Sequence, residues 1–347
     1  MRAGYGKALG VVLAAFVAVA PARAAENVAD CVATADDAAR LACYDRVHGR
    51  PAGVPVTPAP AASAPVASAD VSPVSARPSR LGERWDLDGS RAGEFFVPRA
   101  YKPVYLLPAT WTDEVNRRPA SPAPGHEVGS DLILRPVEAK YQISLKAKFG
   151  ERLFGTPLSL WGGYTQSSRW QLYNGADSRP FRETDYEPEL IALWPLDTTV
   201  LGWRLRMASL SLNHQSNGRA LPLSRSWNRV IGELAFERGA WVAQLRPWWR
   251  LREAPDDDDD PDIEDHVGRA ELVIGRYGGD HAFTLQLRHS LRAGARSRGS
   301  AQLEWVFPLS GALHGYLQWF AGYGESLIDY NLKQSRVGLG VTIAGWQ

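Results

Sequence analysis

The sequence has little of what characterises helical membrane proteins, disulfide-rich proteins or nucleic-acid-binding proteins. No run is long and apolar enough for a membrane-spanning helix, which needs about 20 apolar residues. Cysteine occurs only twice, at Cys31 and Cys43, so a framework of several disulfides is excluded. The formal net charge is +1 and the chain has no basic stripe, so nucleic acid is not an expected partner.

The N-terminus has the three parts of a secretory signal. Basic residues precede an apolar run over 8–20, and a small-residue cleavage sequence, Pro-Ala-Arg-Ala, ends at Ala24. The apolar run is too short to span a membrane, and no lipid-attachment sequence precedes Cys31. We therefore expect residues 1–24 to be removed on export and the exported chain to carry no lipid anchor.

Two further segments precede the main domain, which covers 81–347. Residues 25–50 contain both cysteines and are rich in Ala, Arg and Leu, which favours a small helical module. An even pair of cysteines in an exported chain indicates one local disulfide; a metal-binding pair or two free thiols are the alternatives. Residues 51–80 are mostly Pro, Ala, Ser and Val, which is typical of a disordered linker.

Alternating segments fill the main domain and are separated by clusters of Gly, Asp, Asn and Pro. In the clearest segment, 137–149, apolar residues such as Tyr141 occupy one parity and polar residues such as Lys140 the other. This period of two is typical of a β-strand with one apolar face. A soluble sandwich would also alternate, but long strands with Trp and Tyr near their ends favour an outer-membrane barrel with an apolar exterior.

The alternation predicts an all-β fold, a twelve-stranded antiparallel transmembrane β-barrel. Its expected strands are 101–107, 136–149, 157–173, 182–196, 200–216, 224–238, 240–252, 265–277, 281–291, 299–309, 313–324 and 335–346. An even number suits a single-chain barrel in the outer membrane of a Gram-negative bacterium. With both barrel ends and the N-terminal segment in the periplasm, the strand that ends at Ser216 runs outward, so the loop after it is extracellular.

Reactive side chains lie on the apolar face of one predicted hairpin. In its first arm, His214 and Ser216 share the parity of Leu210. In its second arm, Asn228 shares the parity of Val230, and a symmetric hairpin would place His214 opposite Asn228. A serine, a histidine and an amide that converge on one surface have the geometry of a nucleophile, its base and a group that orients the base.

The same residues also have a simpler interpretation. Ser, His and Asn near a strand end commonly make hydrogen bonds within turns, and Asn217-Gly218 are turn residues here. Their position on the apolar face favours a functional role, because polar groups on such a face are costly unless they have partners.

Several motifs agree in order and spacing with one known family. They are R-E-T-D-Y-E-P at 182–188, N-H-Q-S-N-G-R at 213–219, S-R-S-W-N-R at 224–229 and G-Y-G-E-S-L-I-D-Y-N at 322–331. The chain from about Phe95 onward resembles the outer membrane phospholipase A family. The resemblance does not include the cysteine segment or the linker. It implies a twelve-stranded barrel with an active site on its exterior.

The resemblance implies specific roles for the polar residues of the hairpin. Ser216 would be the nucleophile, His214 its general base and Asn228 the group that holds the imidazole. An Asn in this position leaves the pair neutral, which costs less at a lipid-facing surface than a carboxylate would. The Ser216 backbone N–H and a calcium ion would stabilise the oxyanion.

The family resemblance also implies calcium ligands. These would be the Arg219 carbonyl, the Ser224 hydroxyl and the Ser178 carbonyl of a second subunit, all hard oxygens that suit calcium. For Ser178, an ordinary loop serine is the alternative. An alternative calcium site of the family uses two acidic residues. Asp259 matches one of them, but Leu221 stands where the other is expected, which puts that site in doubt.

Two other features have competing interpretations. Gln166 matches a glutamine that the family places in its dimer interface, where a polar side chain can join two barrels in a membrane. The alternative is a polar residue that faces the lumen. The acidic run 256–260 is more simply a solvated loop than a cation site.

The leading hypothesis from the sequence is a calcium-dependent outer membrane phospholipase A. It would hydrolyse sn-1 and sn-2 acyl ester bonds of membrane phospholipids and be activated by homodimerisation. The alternative is a non-catalytic barrel, a pore or a structural protein. A pore would need neither Ser nor His on its lipid face, and twelve strands filled with Arg, Glu, Lys and Gln leave little room for a channel.

Overall fold

A computed structural model describes residues 28–33, 35–48, 79–311 and 313–344. The predicted signal peptide and all but two residues of the predicted linker lie outside these ranges. The chain divides into two compact units, Met1–Ser72 and Pro73–Gln347, which are described separately. Among the described residues, no helix has the length and apolar character needed to cross a membrane.

The first unit is a pair of short helices, α1 (Val28–Val32) and α2 (Asp37–Val47). The Asp36 side chain caps α2 by accepting a 2.8 Å hydrogen bond from the Ala39 N–H. A disulfide joins Cys31 to Cys43, and both cysteines are buried. The predicted helical character and disulfide are therefore confirmed, and the metal-pair and free-thiol alternatives are wrong.

The second unit begins with α3 (Arg80–Trp85) and continues as strands. The strands, in chain order, are β1 (Arg99–Ala100), β2 (Val104–Thr112), β3 (Val137–Gly150), β4 (Ser159–Trp170), β5 (Phe181–Val200), β6 (Trp203–Ser216), β7 (Ser226–Arg238), β8 (Trp241–Leu251), β9 (Ala270–Gly278), β10 (His281–His289), β11 (Gly299–Ser310), β12 (Leu313–Gly322) and β13 (Gln334–Ala344). One further α-helix, α4 (Ile263–His266), lies between β8 and β9, and three short 3₁₀ segments lie in loops.

The strands close into a barrel. Each strand from β2 to β13 pairs antiparallel with the next, and β13 pairs back onto β2. The two-residue β1 adds only a short pairing with β3. The predicted twelve-stranded antiparallel barrel is therefore confirmed. The short β1 pairs with β3 next to the start of β2.

Two strand boundaries differ from the prediction for identifiable reasons. The strand predicted over 101–107 is observed as β2, Val104–Thr112, and it continues past Pro108 because a register shift between Leu107 and Thr110 accommodates the proline. The segment predicted as a strand over 265–277 begins instead inside α4, where the Val267 N–H donates to the Ile263 carbonyl at 2.8 Å.

The two ends of the barrel differ in the length of their connections. At one end, β5–β6, β7–β8 and β9–β10 are each joined by two residues. At the other end, the connections are long, among them 113–136, 217–225 and 252–269. Outer-membrane barrels have short periplasmic turns and longer extracellular loops. The C-terminal end of β6, which carries Ser216, lies at the long-loop end.

Charged residues fill the lumen, and apolar residues cover the exterior. Inside, Arg169 contacts Glu325 and Asp185 at 2.8 and 2.9 Å, and a lumen cavity of about 150 Å³ remains. Outside, Leu210 and Leu212 are 51% and 55% exposed. The apolar face predicted for β6 is therefore the outer face of the barrel, and the filled lumen argues against a wide pore.

Helix α3 packs into the barrel at the short-turn end. Trp85 meets Trp161 edge to face with ring centroids 5.5 Å apart, and both rings are buried. The ammonium of Lys146 lies 3.1 Å from the centroid of the Trp85 ring, a cation–π contact. Glu237 of β7 accepts hydrogen bonds of 2.7 Å from the Ser79 hydroxyl and the Leu81 N–H, which fixes the start of the helix.

Candidate active site

The hairpin of β6 and β7 brings His214 and Asn228 directly opposite each other. Their Cα atoms are cross-strand partners in the predicted register, and Ser216 pairs with Ser226 two residues further on. His214 Nδ1 and Asn228 Oδ1 are 2.9 Å apart, within hydrogen-bond distance. The imidazole is exposed on the outer face, as the parity of the strand predicts.

Ser216 lies two residues after His214, so both side chains project from the same face of β6. No hydrogen bond between these two side chains is present among the described residues. Because Asn228 occupies Nδ1, Nε2 is the ring nitrogen left for Ser216. The three predicted catalytic residues are thus brought to one patch of the exterior, with the histidine already oriented by the amide.

Asn217 organises the loop 217–225 that follows Ser216. Its Oδ1 accepts hydrogen bonds from the N–H groups of Arg219 and Arg225 at 3.2 and 3.0 Å. Its Nδ2 donates to the Leu223 carbonyl at 2.8 Å and to Glu183 at 3.0 Å. The buried Asn217 side chain therefore holds both halves of the loop and ties them to β5.

Arg225 braces the same loop from the inside. Its guanidinium is buried and donates to the carbonyls of Pro222 and Ser224 at 3.1 and 2.6 Å, and to the His126 carbonyl at 3.3 Å. Burial lowers the pKa of Arg225 from its ordinary value, and nearby acidic groups partly oppose that effect. These bonds fix the loop that contains two of the predicted calcium ligands.

Ser224 and Asp259, which the sequence assigned to two different calcium sites, are in contact. The Ser224 hydroxyl donates to Asp259 Oδ2 at 2.7 Å, and Ser226 reaches the same oxygen at 3.3 Å. The other carboxylate oxygen, Oδ1, lies 2.9 Å from His126 Nε2. Loop 252–269 therefore brings Asp259 next to the hairpin.

The donor chemistry around this contact suits calcium. A hydroxyl and a carboxylate oxygen are already 2.7 Å apart, and Arg219, in the same loop as Ser224, offers a backbone carbonyl. These are hard oxygen donors of the type that calcium prefers. No group of three or more His, Cys, Asp or Glu residues is placed to hold a metal within the described ranges, so a cation here would depend on neutral oxygens as well.

Two predicted positions of the calcium sites, Ser178 and Leu221, add no ligand to the contact between Ser224 and Asp259 within the described residues of this chain. Ser178 lies in the loop 171–180 with a positive φ of 52°, and no hydrogen bond joins it to Ser224 or Asp259 among the described residues. Leu221 is 62% exposed and carries only hydrocarbon, so it offers no side-chain ligand beside Asp259.

One residue near the catalytic groups was not identified from the sequence. Glu253 Oε1 accepts a 2.6 Å hydrogen bond from Asn228 Nδ2. Leu251 is the cross-strand partner of Asn228 on β8, and Glu253 follows it with the same parity. Pairing β7 with β8 in the sequence would have identified this glutamate. Burial raises the pKa of Glu253, while its hydrogen bond with Asn228 and the charge of Arg250 lower it.

Gln166 lies on the exterior face of β4, in the same cross-strand row as Ser216. It accepts a hydrogen bond from Tyr164 at 3.1 Å and donates one to Ser168 at 3.3 Å. Arg169 has the opposite parity on the same strand and faces the lumen, where it contacts Asp185. The lumen-facing alternative for Gln166 is therefore wrong. The strand register places Gln166 opposite Tyr186, and Tyr186 opposite Ser216.

Comparisons with known proteins give consistent results. The family model described as phospholipase A1 matches residues 81–343. A putative phospholipase A1 of Neisseria meningitidis is 33% identical over 91% of this chain and 90% of its own length. The phospholipase A1 of Escherichia coli K12 is 40% identical over 60% of this chain and 70% of its own length. A Salmonella typhi outer membrane phospholipase, crystallised as a dimer with bound calcium, superposes with a TM-score of 0.65 at 35% identity and covers 73% of this chain and 94% of its own.

Proposed function

The chain belongs to the phospholipase A1 family, and we propose that it hydrolyses acyl ester bonds of phospholipids with Ser216 as the nucleophile, at both sn-1 and sn-2. The observation that carries this proposal is the 2.9 Å contact between His214 Nδ1 and Asn228 Oδ1, with Ser216 two residues away on the same outer face. A base that is oriented by a second group and adjacent to a hydroxyl is the arrangement that activates a serine.

The proposed reaction begins with attack by Ser216 Oγ on the ester carbonyl carbon. As the Oγ–C bond forms, His214 Nε2 takes the hydroxyl proton and the carbonyl π electrons move onto oxygen. The bond from carbon to the leaving alcohol then breaks, and Nε2 returns the proton to that oxygen, which releases a lysophospholipid. Water repeats these steps on the acyl-serine and releases the fatty acid. Asn228 holds the imidazole throughout and is not itself protonated.

Calcium is the proposed cofactor. The Ser224 hydroxyl, the Asp259 carboxylate and the Arg219 carbonyl would hold it on one barrel. Bound there, it would supply positive charge beside the oxyanion that forms on the ester carbonyl oxygen. Asn217 and Arg225 prepare this site by fixing the loop that carries Arg219 and Ser224.

The active assembly is proposed to be a homodimer that docks through the catalytic face. His214 and Ser216 lie on the outward face of a strand, where Leu210 and Leu212 are exposed, so a second surface would be needed to enclose an acyl chain. A second barrel against this face would form that surface, with Gln166 hydrogen-bonded across the interface. It would also bring Ser178 of the second copy toward the calcium site. The solved Salmonella typhi relative is a dimer with bound calcium, which supports this arrangement.

The proposed location is the outer membrane, with the long loops outside and the N-terminal segment in the periplasm. The closed barrel, its apolar exterior and the outer membrane relatives support this placement. The substrate would be phospholipid that reaches the outer leaflet.

Hydrolysis by the refolded protein tests the proposal. We expect fatty acid release from phospholipid micelles with calcium, and release close to background once calcium is chelated. Asp259→Asn should raise the half-maximal calcium concentration by about tenfold, because it removes the one carboxylate of the site. Asp257→Asn, in the same loop but exposed, is the matched control and should behave as the wild type. Folded protein that releases no fatty acid with calcium present would overturn the proposal.

Asn228→Ala tests the orienting role of the amide. We expect turnover to fall by about tenfold to a hundredfold while some activity remains, the effect of losing one orienting hydrogen bond. The Michaelis constant should change little, because Asn228 acts on the base rather than on the lipid. The initial rate of fatty acid release measures both quantities. A loss as deep as removal of the nucleophile, in folded protein, would show a more direct part for Asn228 in the chemistry.

A further inference from the structure

Glu253 lies directly behind the proposed catalytic groups. Its Oε1 accepts a hydrogen bond of 2.6 Å from Asn228 Nδ2, and Asn228 Oδ1 lies 2.9 Å from His214 Nδ1. Carboxylate, amide and imidazole therefore form a continuous chain of two hydrogen bonds that ends at His214 Nδ1. The other ring nitrogen, Nε2, is the one left for Ser216. The last residue of β8 is Leu251, so the glutamate reaches the amide from just beyond the strand end.

A carboxylate at this position determines which way the amide points. An ionised carboxylate only accepts hydrogen bonds, so the NH₂ group of Asn228 must face Glu253. The amide oxygen then faces His214, and an oxygen can only accept. His214 Nδ1 must therefore carry the hydrogen, which leaves the lone pair on Nε2 to take the proton of Ser216. Without Glu253, either end of the amide could face the imidazole, and either ring nitrogen could carry the proton.

The same carboxylate supplies charge to a histidine whose immediate partner is neutral. An amide that donates to an anion becomes a stronger acceptor at its own oxygen, because hydrogen bonds in a chain polarise one another. Asn228 therefore holds the imidazolium that forms during the reaction more strongly than an isolated amide would. The negative charge stays on Glu253, and Asn228 separates it from His214 on the outer face.

The surroundings of Glu253 direct its carboxylate to Asn228. Arg250 Nη2 is 3.7 Å from Glu253 Oε2, and the Glu253 side chain is 20% exposed. Within the described residues, Oε2 is buried and makes no hydrogen bond. The bond to Asn228 is thus the hydrogen bond that holds this side chain in place. Arg250 is itself fixed by a 3.0 Å bond from Nη1 to the Asp260 carbonyl.

We propose that Glu253 is a positioning residue of this enzyme: its carboxylate fixes the Asn228 amide and, through it, the His214 tautomer that accepts the proton of Ser216. This inference rests on the proposed serine mechanism. It adds a fourth member to the catalytic group, placed at the end of a neighbouring strand.

Removing the carboxylate should lower the turnover number and not the affinity for lipid. Glu253→Ala is expected to reduce turnover by about tenfold, with the Michaelis constant unchanged, because a hydrogen-bond partner of an orienting residue is lost. In an Asn228→Ala background the same change should cost nothing further, because Glu253 acts only through that amide. Glu264→Ala is the matched control; this glutamate lies in the same loop and pairs with Arg269 at 3.7 Å. Additive losses would overturn the proposal.

A charge exchange tests the direction of the hydrogen bond. Asn228→Asp places two carboxylates against each other and should lower turnover by about a hundredfold. Adding Glu253→Gln to that variant restores a donor toward residue 228, because a glutamine NH₂ can donate to the new aspartate. The double variant should be at least about tenfold more active than Asn228→Asp alone. A double variant no more active than Asn228→Asp would sink the idea.

Nitrogen NMR of the imidazole gives a test that does not depend on activity. The chain has seven histidines, so a His214→Asn sample identifies the signals of His214 by their disappearance. Wild-type protein should show a protonated Nδ1 and an unprotonated Nε2, and Glu253→Ala should show a mixture of the two tautomers. Unchanged nitrogen shifts in Glu253→Ala would refute the positioning role even if the enzyme is active. An inactive wild type with the expected tautomers would instead refute the proposed hydrolysis.

Discussion

Ser216→Ala is expected to leave a folded barrel that releases no fatty acid above background. The loss of turnover should be at least about 10,000-fold, because Ser216 is the serine proposed to be activated by His214 and the rest of a serine site cannot replace the nucleophile. Ser216 is the last residue of β6, and its hydroxyl makes no hydrogen bond to another side chain within the part of the barrel that the structure describes. We therefore expect the variant to show the same heat-modifiable migration on gels as the wild type.

Ser335→Ala is the matched control for that experiment. Ser335 lies near the long-loop end of β13, and its hydroxyl accepts a hydrogen bond from the exposed Trp319 at 3.1 Å. It is a serine on the exterior of the same barrel but far from β6 in the strand order. Turnover of this control should equal that of the wild type. Wild-type turnover in folded Ser216→Ala would reject Ser216 as the nucleophile.

The second large effect is expected on dilution. If only the dimer has walls around the acyl chain, activity should follow the dimer fraction by mass action. Diluting the protein into excess detergent until about 1% of it is dimeric should lower activity per chain by about a hundredfold. Chelating calcium should have a similar effect, because the proposed site is completed by Ser178 of the second copy.

Cross-linking and fatty acid release, measured on the same samples, test this dependence. Dimer yield and hydrolysis should rise together as calcium is titrated. Gln166→Ala should shift both curves to higher protein concentration, because the exterior amide is the proposed contact between barrels. Full activity from a species that sedimentation shows to be monomeric would reject the dimer requirement.

The features that could be predicted from the sequence are those that depend on local period and symmetry. Alternation with a period of two identifies which residues face lipid, and it holds along most strands of the barrel. The pairing of His214 with Asn228 follows from the same rule, because β6 and β7 keep one register without a shift from Met207 to Ser216. The family motifs then predict chemical roles for these positions.

The features that could not be predicted depend on contacts between distant segments. Trp161 obscured the phase of β4 in the sequence, because an aromatic residue in a barrel strand suggests the outer girdle. In the structure it is buried against Trp85, a residue of α3 that local alternation does not reveal. The contact between Ser224 and Asp259 likewise depends on how the loop 252–269 folds over the hairpin. A loop of irregular backbone has no regular alternation of apolar and polar residues from which its contacts could be predicted.

The row formed by Gln166, Tyr186 and Ser216 crosses three adjacent strands, each residue being the cross-strand partner of the next. Neighbouring strands lie about 4.8 Å apart, so the row extends over roughly 10 Å along the circumference. In the proposed setting this row would lie toward the outer leaflet, because Ser216 is at the end of the barrel that carries the long loops. A phospholipid would then reach the proposed dimer interface by lateral diffusion, without leaving the bilayer. The rate of such an enzyme would follow the mole fraction of phospholipid in the leaflet rather than its bulk concentration, and would respond to lateral packing pressure.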